Sequence, residues 1–348
     1  MAKRDFLVRE SELDDFQRKL LRRISNIIIE GCAGSGKSLI ALWRAHDIYK
    51  NNEGSVLFVV YNKSLLRYMI EAGKIIGLPS DLFESYNKCF NWGHDEKTGK
   101  FIPKSWRKND YDYIIVDEAQ DCKNFHLKGI MEHSRYQLFY GDDEQKLYDE
   151  SLSLKEVKYY IGYETEYLTR NYRLPKKIAR IASSLSDEDN FVDRCVNEGT
   201  ELPYIISYSN FEDILDKIKE LIINKSYDDV AILFDATDDV EKAYSYYMNV
   251  GFDVEKKEND NMALNFSSSL PKIIPYKSSK GLQFETVFVF MPRNDYRLNK
   301  EKSSIYVAIT RSYKNLYVFY ENDLLPVAMK NLPSDLYLNS FEREVEEI

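Results

Sequence analysis

Eight consecutive residues, Gly31-Cys32-Ala33-Gly34-Ser35-Gly36-Lys37-Ser38, have the types and spacing needed to grip a polyphosphate. Gly31, Gly34 and Gly36 let backbone N–H groups, that of Ser35 among them, approach phosphate oxygens with no Cβ in the way. Lys37 brings a positive charge to the β- and γ-phosphates, and the Ser38 hydroxyl is a hard oxygen ligand for Mg²⁺. A second run, Ile114-Ile115-Val116-Asp117-Glu118, closes an apolar stretch on two carboxylates. Asp117 is placed to share Mg²⁺ with Ser38, and Glu118 to orient or deprotonate an attacking water. The chemistry these residues describe together is hydrolysis of ATP with Mg²⁺.

Such residues work only where a strand delivers the loop and a helix receives it. Ile27-Ile28-Ile29 reads as that strand, and a helix is expected from about Lys37. Upstream, Ser11 with Asp14 three residues on reads as a helix cap, followed by Leu13, Phe16, Leu20 and Ile24 at helical spacing. Further strands are expected at Val56–Tyr61, Tyr113–Asp117 and Tyr136–Tyr140. The alternation restarts after about residue 165, with strands at Val230–Phe234, Lys272–Ile274, Thr286–Met291 and Leu316–Tyr320. Helices are expected at Pro175–Leu185, Phe211–Ile223 and Asp238–Val250. The pattern implies an α/β fold in two halves with mostly parallel sheets, residues 1–165 and 166–348.

Composition narrows the class. Among 348 residues, 44% are hydrophobic and 30% charged, enough to build a sizeable core. The net charge of −9 argues against a coat that binds nucleic acid everywhere, while leaving room for a local basic surface. Cys32, Cys89, Cys122 and Cys195 are scattered without a C-x-x-C pair, so neither a disulfide framework nor a zinc ribbon is expected, and reduced thiols fit a cytoplasmic location. The N-terminus lacks the apolar run of a signal peptide, and no apolar stretch approaches the ~20 residues that span a bilayer, so no membrane association is expected.

Beyond those two motifs the chain resembles the UvrD/Rep-like branch of superfamily 1 helicases, in order from about residue 13 to about residue 318. Asp117-Glu118-Ala119-Gln120-Asp121 resembles that branch's second motif, and Gly141-Asp142-Asp143-Glu144-Gln145 its third, where the resemblance makes Gln145 a sensor of the γ-phosphate. Leu168-Thr169-Arg170-Asn171-Tyr172-Arg173 resembles the fourth, with Tyr172 stacking on the base and Arg173 reaching the γ-phosphate. Lys280-Gly281-Leu282-Gln283-Phe284 resembles the fifth, placing Gln283 at the nucleotide, and Tyr306-Val307-Ala308-Ile309-Thr310-Arg311 the sixth, ending in a second arginine finger. Gln17 fits the upstream glutamine that reads adenine. The resemblance implies two tandem RecA-like P-loop NTPase domains with ATP bridging them, so that hydrolysis becomes domain motion. It also implies a track of single-stranded DNA, with RNA as the alternative. Tyr61-Asn62-Lys63, Ser85-Tyr86, Tyr148, and Lys277-Ser278 are the residues expected on that track, where hydroxyl, amide and lysine groups suit phosphates and tyrosines suit bases.

The chain also departs from the branch. Leu39 stands where relatives carry an arginine that stacks on adenine, Gln283 replaces a glutamate, and Lys277 replaces a histidine. Only residues 91–110 separate the Ser85 motif from the next core strand, where typical relatives insert a sizeable domain. The expected molecule is therefore a nearly bare ATP-dependent translocase or helicase, with a protein partner supplying the missing surface. The alternative is an ATPase switch subunit that regulates a partner such as a nuclease in a bacterial DNA-repair or defence complex. A small-molecule kinase would leave the later motifs and the second half unexplained.

Overall fold

In the computed structural model, the structure describes residues 10–23, 26–32, 34–61, 63–96, 98–143, 151–186, 190–257, 264–266, 268–293 and 302–341. Contacts divide the chain into two compact bodies between Thr169 and Arg170.

The first body starts with α1 (Asp15–Leu21), and its cap is Asp14 rather than Ser11. The Asp14 carboxylate accepts from the Gln17 N–H at 2.7 Å, and the Gln17 side chain accepts from the Asp14 N–H at 3.1 Å. Ser11 instead lies in a 3₁₀ turn, Glu10–Glu12. This reciprocal box contributes about 1 kcal/mol, and it also fixes the χ angles of Gln17.

Its sheet contains β1 (Ile27–Gly31), β2 (Val56–Val60), β3 (Phe83–Ser85), β6 (Tyr111–Val116), β7 (Ser134–Gly141) and β8 (Thr165–Leu168). The spatial order is β3-β2-β6-β7-β1-β8, and every pairing is parallel. The central strands are buried throughout, which is why β2 and the end of β6 read as unbroken apolar runs rather than alternating ones. Helices α2 (Lys37–Lys50), α3 (Lys63–Ile75), α4 (Asn124–Glu132) and α5 (Leu154–Ile161) supply the crossovers. Between β3 and β6 the chain makes an antiparallel hairpin, β4 (Phe90–His94) with β5 (Phe101–Trp106). The hairpin is rooted by Phe90, whose ring meets Trp106, Phe125 and His126 at 5.2, 5.4 and 5.7 Å.

The second body repeats the architecture. Strands β9 (Tyr204–Tyr208), β10 (Val230–Phe234), β11 (Glu255–Lys256), β12 (Lys272–Pro275), β13 (Phe284–Phe290) and β14 (Ser312–Glu321) form a parallel sheet in the order β11-β12-β10-β13-β14-β9. Helices α6 (Lys176–Ala182), α7 (Phe211–Asn224), α8 (Thr237–Asn249) and α9 (Lys302–Ile309) accompany it. Asn210 caps α7 by accepting from the Glu212 N–H at 2.9 Å, and Ile214, Leu215, Ile218, Leu221 and Ile222 bury its apolar face. The fold is thus α/β, with two six-stranded parallel sheets, one in each body, as expected of tandem RecA-like domains.

Among the described residues no helix is long and apolar enough to cross a membrane. All four cysteines are unbridged and buried. Burial pushes the Cys89 and Cys122 thiols up to about 12, which leaves them protonated and inert.

Candidate active site

The glycine-rich loop leaves β1 at Gly31 and enters α2 at Lys37, with Gly36 as the N-cap residue. Gly34 and Gly36 sit at φ 84° and 89°, a left-handed conformation that L side chains rarely adopt. Space adds a second constraint: a Cβ on Gly36 would come within 2.9 Å of the Gln17 amide nitrogen. Gln17 is buried, and that nitrogen donates to the Ser35 carbonyl at 3.2 Å. Gln17 is therefore latched to the loop itself, held from behind by its cap with Asp14. The Lys37 ammonium donates to the carbonyls of Gly31 and, at 2.9 Å, Cys32, and lies 3.8 Å from the Asp142 carboxylate.

Asp117 emerges from the C-terminal end of β6 at 1% exposure. One carboxylate oxygen is hydrogen-bonded by the Ser38 hydroxyl. The other, Oδ2, is buried and has no hydrogen-bond partner among the described residues. Burial, and then the neighbouring Glu118 carboxylate, hold the Asp117 pKa above its ordinary value, against the opposing effects of Ser38 and Lys37. A buried anionic oxygen with unused lone pairs beside a hydroxyl is the hard donor set that Mg²⁺ takes, so Ser38 and Asp117 fit the expected ion.

Glu118 adopts φ 54°, ψ 48°, a left-handed conformation that costs on the order of 1 kcal/mol for a residue with a side chain. Its carboxylate accepts from the Gln120 side-chain amide. Gln120 is fully buried, and its Oε1 accepts from the Asp142 N–H at 3.0 Å. One glutamine thus joins the carboxylate after β6 to the backbone after β7. Gly141 keeps the path open, since a Cβ there would meet Gln120 Oε1 at 2.5 Å. Gln120 and Asp142 lie inside runs that the sequence singled out, yet no local spacing reveals a bond across 22 residues.

The structure corrects the reading of Ser85 and Tyr86. Both are buried, Tyr86 to 1% exposure, and neither presents a surface to nucleic acid. Tyr86 enters the core cluster with Leu57, Ile114 and Phe139, because the turn after β3 folds it under the sheet end. Its hydroxyl donates to the Asp117 carbonyl at 2.8 Å, so it props the carboxylate pair from below. Tyr86→Phe is expected to cost about 1 kcal/mol of stability and to lower ATP turnover with little change in nucleotide affinity. Thermal melting and steady-state kinetics check this. Tyr61 is half-buried with its ring 6.1 Å from that of Tyr86, and Lys63 is half-buried at the start of α3. Asn62, Gln145 and Tyr148 lie outside the described residues.

In the second body, Asn171 is buried and its side-chain oxygen accepts from the N–H groups of Arg173 and Leu174 at 3.1 and 2.9 Å. This Asx turn presents Tyr172 at 36% exposure with Arg173 half-buried beside it. Arg311 is buried at the end of α9. Its guanidinium donates to the Val307 carbonyl at 2.8 Å, the Leu282 carbonyl at 3.3 Å and the Thr310 hydroxyl at 3.1 Å. Gln283, half-buried, follows Leu282 directly, and Lys277 (exposed) and Ser278 (half-buried) occupy the turn after β12.

A glycine-rich loop that holds its lysine, a strand-end Asp-Glu pair and two RecA-like sheets define a helicase-like P-loop domain. Residues 25–222 match the family described as Schlafen group 3, DNA/RNA helicase domain. That span covers more than half of the chain, which belongs to this family. No curated protein matches the chain. Among solved structures, the C-terminal domain of a possible DNA helicase from Lactobacillus plantarum is similar at 22% identity and a TM-score of 0.39, over 48% of this chain and 98% of that one. Arterivirus nonstructural protein 10, a helicase, is similar at 15% identity and a TM-score of 0.45 over 87% of this chain. The PRRSV helicase is similar at 14% identity and a TM-score of 0.46, also over 87% of this chain. The matches take in 61% and 53% of the two viral chains.

Proposed function

We propose that the chain is an ATP-dependent translocase of superfamily 1, similar to the UvrD/Rep branch, that moves on single-stranded DNA. The observation that carries this is the buried, unpartnered Asp117 oxygen beside Ser38, in a body whose loop already aims Lys37 and whose Glu118 is braced by Gln120. Membership of a DNA/RNA helicase-domain family supports a nucleic-acid track.

On this reading, backbone N–H groups of Gly34, Ser35 and Gly36 and the Lys37 ammonium bind the β- and γ-phosphates of ATP. Ser38 and Asp117 hold Mg²⁺, which when bound neutralises charge on the phosphate oxygens. Glu118 takes a proton from water as the water oxygen bonds to the γ-phosphorus and the bond to the β–γ bridging oxygen breaks, leaving ADP and phosphate. Arg173 and Arg311 supply charge to the γ-phosphate, and Gln17 and Tyr172 contact the adenine. Lys277, Ser278, Tyr61 and Lys63 remain as contacts to the strand.

Glu118→Gln keeps the shape and loses the base. It is expected to retain ATP binding while turnover falls roughly 10²-fold, as measured by equilibrium nucleotide binding and steady-state hydrolysis. Translocation is tested by displacement of streptavidin from biotinylated single strands. ATP-dependent release from one end only supports the motor. ATP turnover without release from either end sinks it and leaves the switch subunit.

A further inference from the structure

The β4–β5 hairpin has no part in the site above, and its composition is unlike the rest of the chain. Residues 88–108 hold six Lys or Arg against two Asp or Glu, a net +4 in a chain of −9, which leaves −13 for everything else. Two of the three tryptophans also fall here. Glu84 compensates part of this charge, facing Lys108 at 2.8 Å and Lys88 at 4.0 Å. Lys100, Lys104 and Arg107 are exposed, and none forms an ion pair among the described residues.

The aromatic residues divide by position. Phe90 and Trp106 anchor the base of the hairpin, with Trp106 stacked on His133 at 5.1 Å and 7°. At the far end Phe101 is 61% exposed. It pairs directly across from His94, with ring centroids 4.4 Å apart, and stacks toward Trp92 at 6.5 Å. Trp92 is fixed in turn by its indole N–H to the Asn87 carbonyl at 2.7 Å. Asp95 ties down the connecting turn by accepting from the Thr98 N–H at 2.8 Å. The result is a solvent-facing ring held in place before any ligand arrives, on a hairpin that also carries the exposed cations Lys100, Lys104 and Arg107.

We propose that this hairpin is a stacking platform for single-stranded nucleic acid, with Phe101 taking an unpaired base and Lys100, Lys104 and Arg107 holding flanking phosphates. The proposal rests on the nucleic-acid track proposed above. Charge complementarity selects a polyanion, and an exposed flat ring selects one with free base faces, which a duplex does not offer. Preorganisation by His94 and Trp92 lowers the ordering cost on binding.

The test is fluorescence anisotropy of a labelled oligothymidylate against the full chain across a salt series. Phe101→Ala is expected to weaken binding roughly 10-fold, while Phe101→Trp retains it. Combined Lys100→Glu, Lys104→Glu and Arg107→Glu is expected to flatten the log–log salt slope by about 2. Because these side chains are exposed, melting temperatures should hold, which separates lost contacts from lost structure. Variants that bind like the wild type, with the same slope, overturn the platform. That outcome would leave the hairpin to a protein partner. A wild-type chain that binds no oligonucleotide would instead sink the parent proposal.

Discussion

Lys37→Ala is expected to lower ATP hydrolysis by on the order of 10³-fold or more, to background in a steady-state assay. The ammonium is held at the loop's own carbonyls. It is buried against the Gly31 and Cys32 carbonyls, with Asp142 at 3.8 Å. In that desolvated setting, removing a positive charge from a developing phosphate charge costs far more than it would in water. The fold should survive, because Gly34, Gly36 and the Gln17 latch still shape the loop once the Gly31 and Cys32 carbonyls lose the Lys37 donor. Circular dichroism confirms that point, and undiminished turnover in the folded variant would remove the site assignment.

Arg311→Ala is expected to spare ATP binding and to lower turnover of bound ATP roughly 10³-fold. The guanidinium bonds two backbone carbonyls and the Thr310 hydroxyl of its own body. Alanine therefore also strands buried acceptors, at a cost of about 1–3 kcal/mol, and the assay must be run well below the melting temperature. Arg311→Lys keeps the charge but not the planar fork, and should recover only part of the rate. Nucleotide affinity that collapses while the bound-state rate holds would refute the finger role.

The loop and the sheets were legible in the sequence because their signals are local. The phosphate loop needs only eight adjacent residues, and the expected strand Val230–Phe234 coincides with β10, since buried parallel strands are continuous apolar runs. Strands β3, β8, β9 and β11 escaped notice. β3, β8 and β11 are only three, four and two residues long, β8 opens on Thr-Glu, and all four lie at sheet edges. The hairpin was hidden by Gly, Pro and Lys in its strands and by a bulge that breaks alternation between Asn91 and Trp92. The helix cap was available as Asp14-x-x-Gln17, but Ser11 with Asp14 resembles the same signal three residues early. Tyr86 was misplaced for a deeper reason. A tyrosine after a strand looks the same whether it faces solvent or lies beneath a catalytic carboxylate, and only the fold decides. The Gln120 bridge between Glu118 and Asp142 is long-range by nature and leaves no spacing to read.

The most direct measurement is steady-state ATP hydrolysis by the purified chain, with and without single-stranded DNA or RNA. Strong stimulation, with single-stranded DNA the better activator and Lys37→Ala inactive in its presence, is the expected result. Hydrolysis that neither polymer changes would contradict a nucleic-acid motor and leave an ATPase switch awaiting its protein partner.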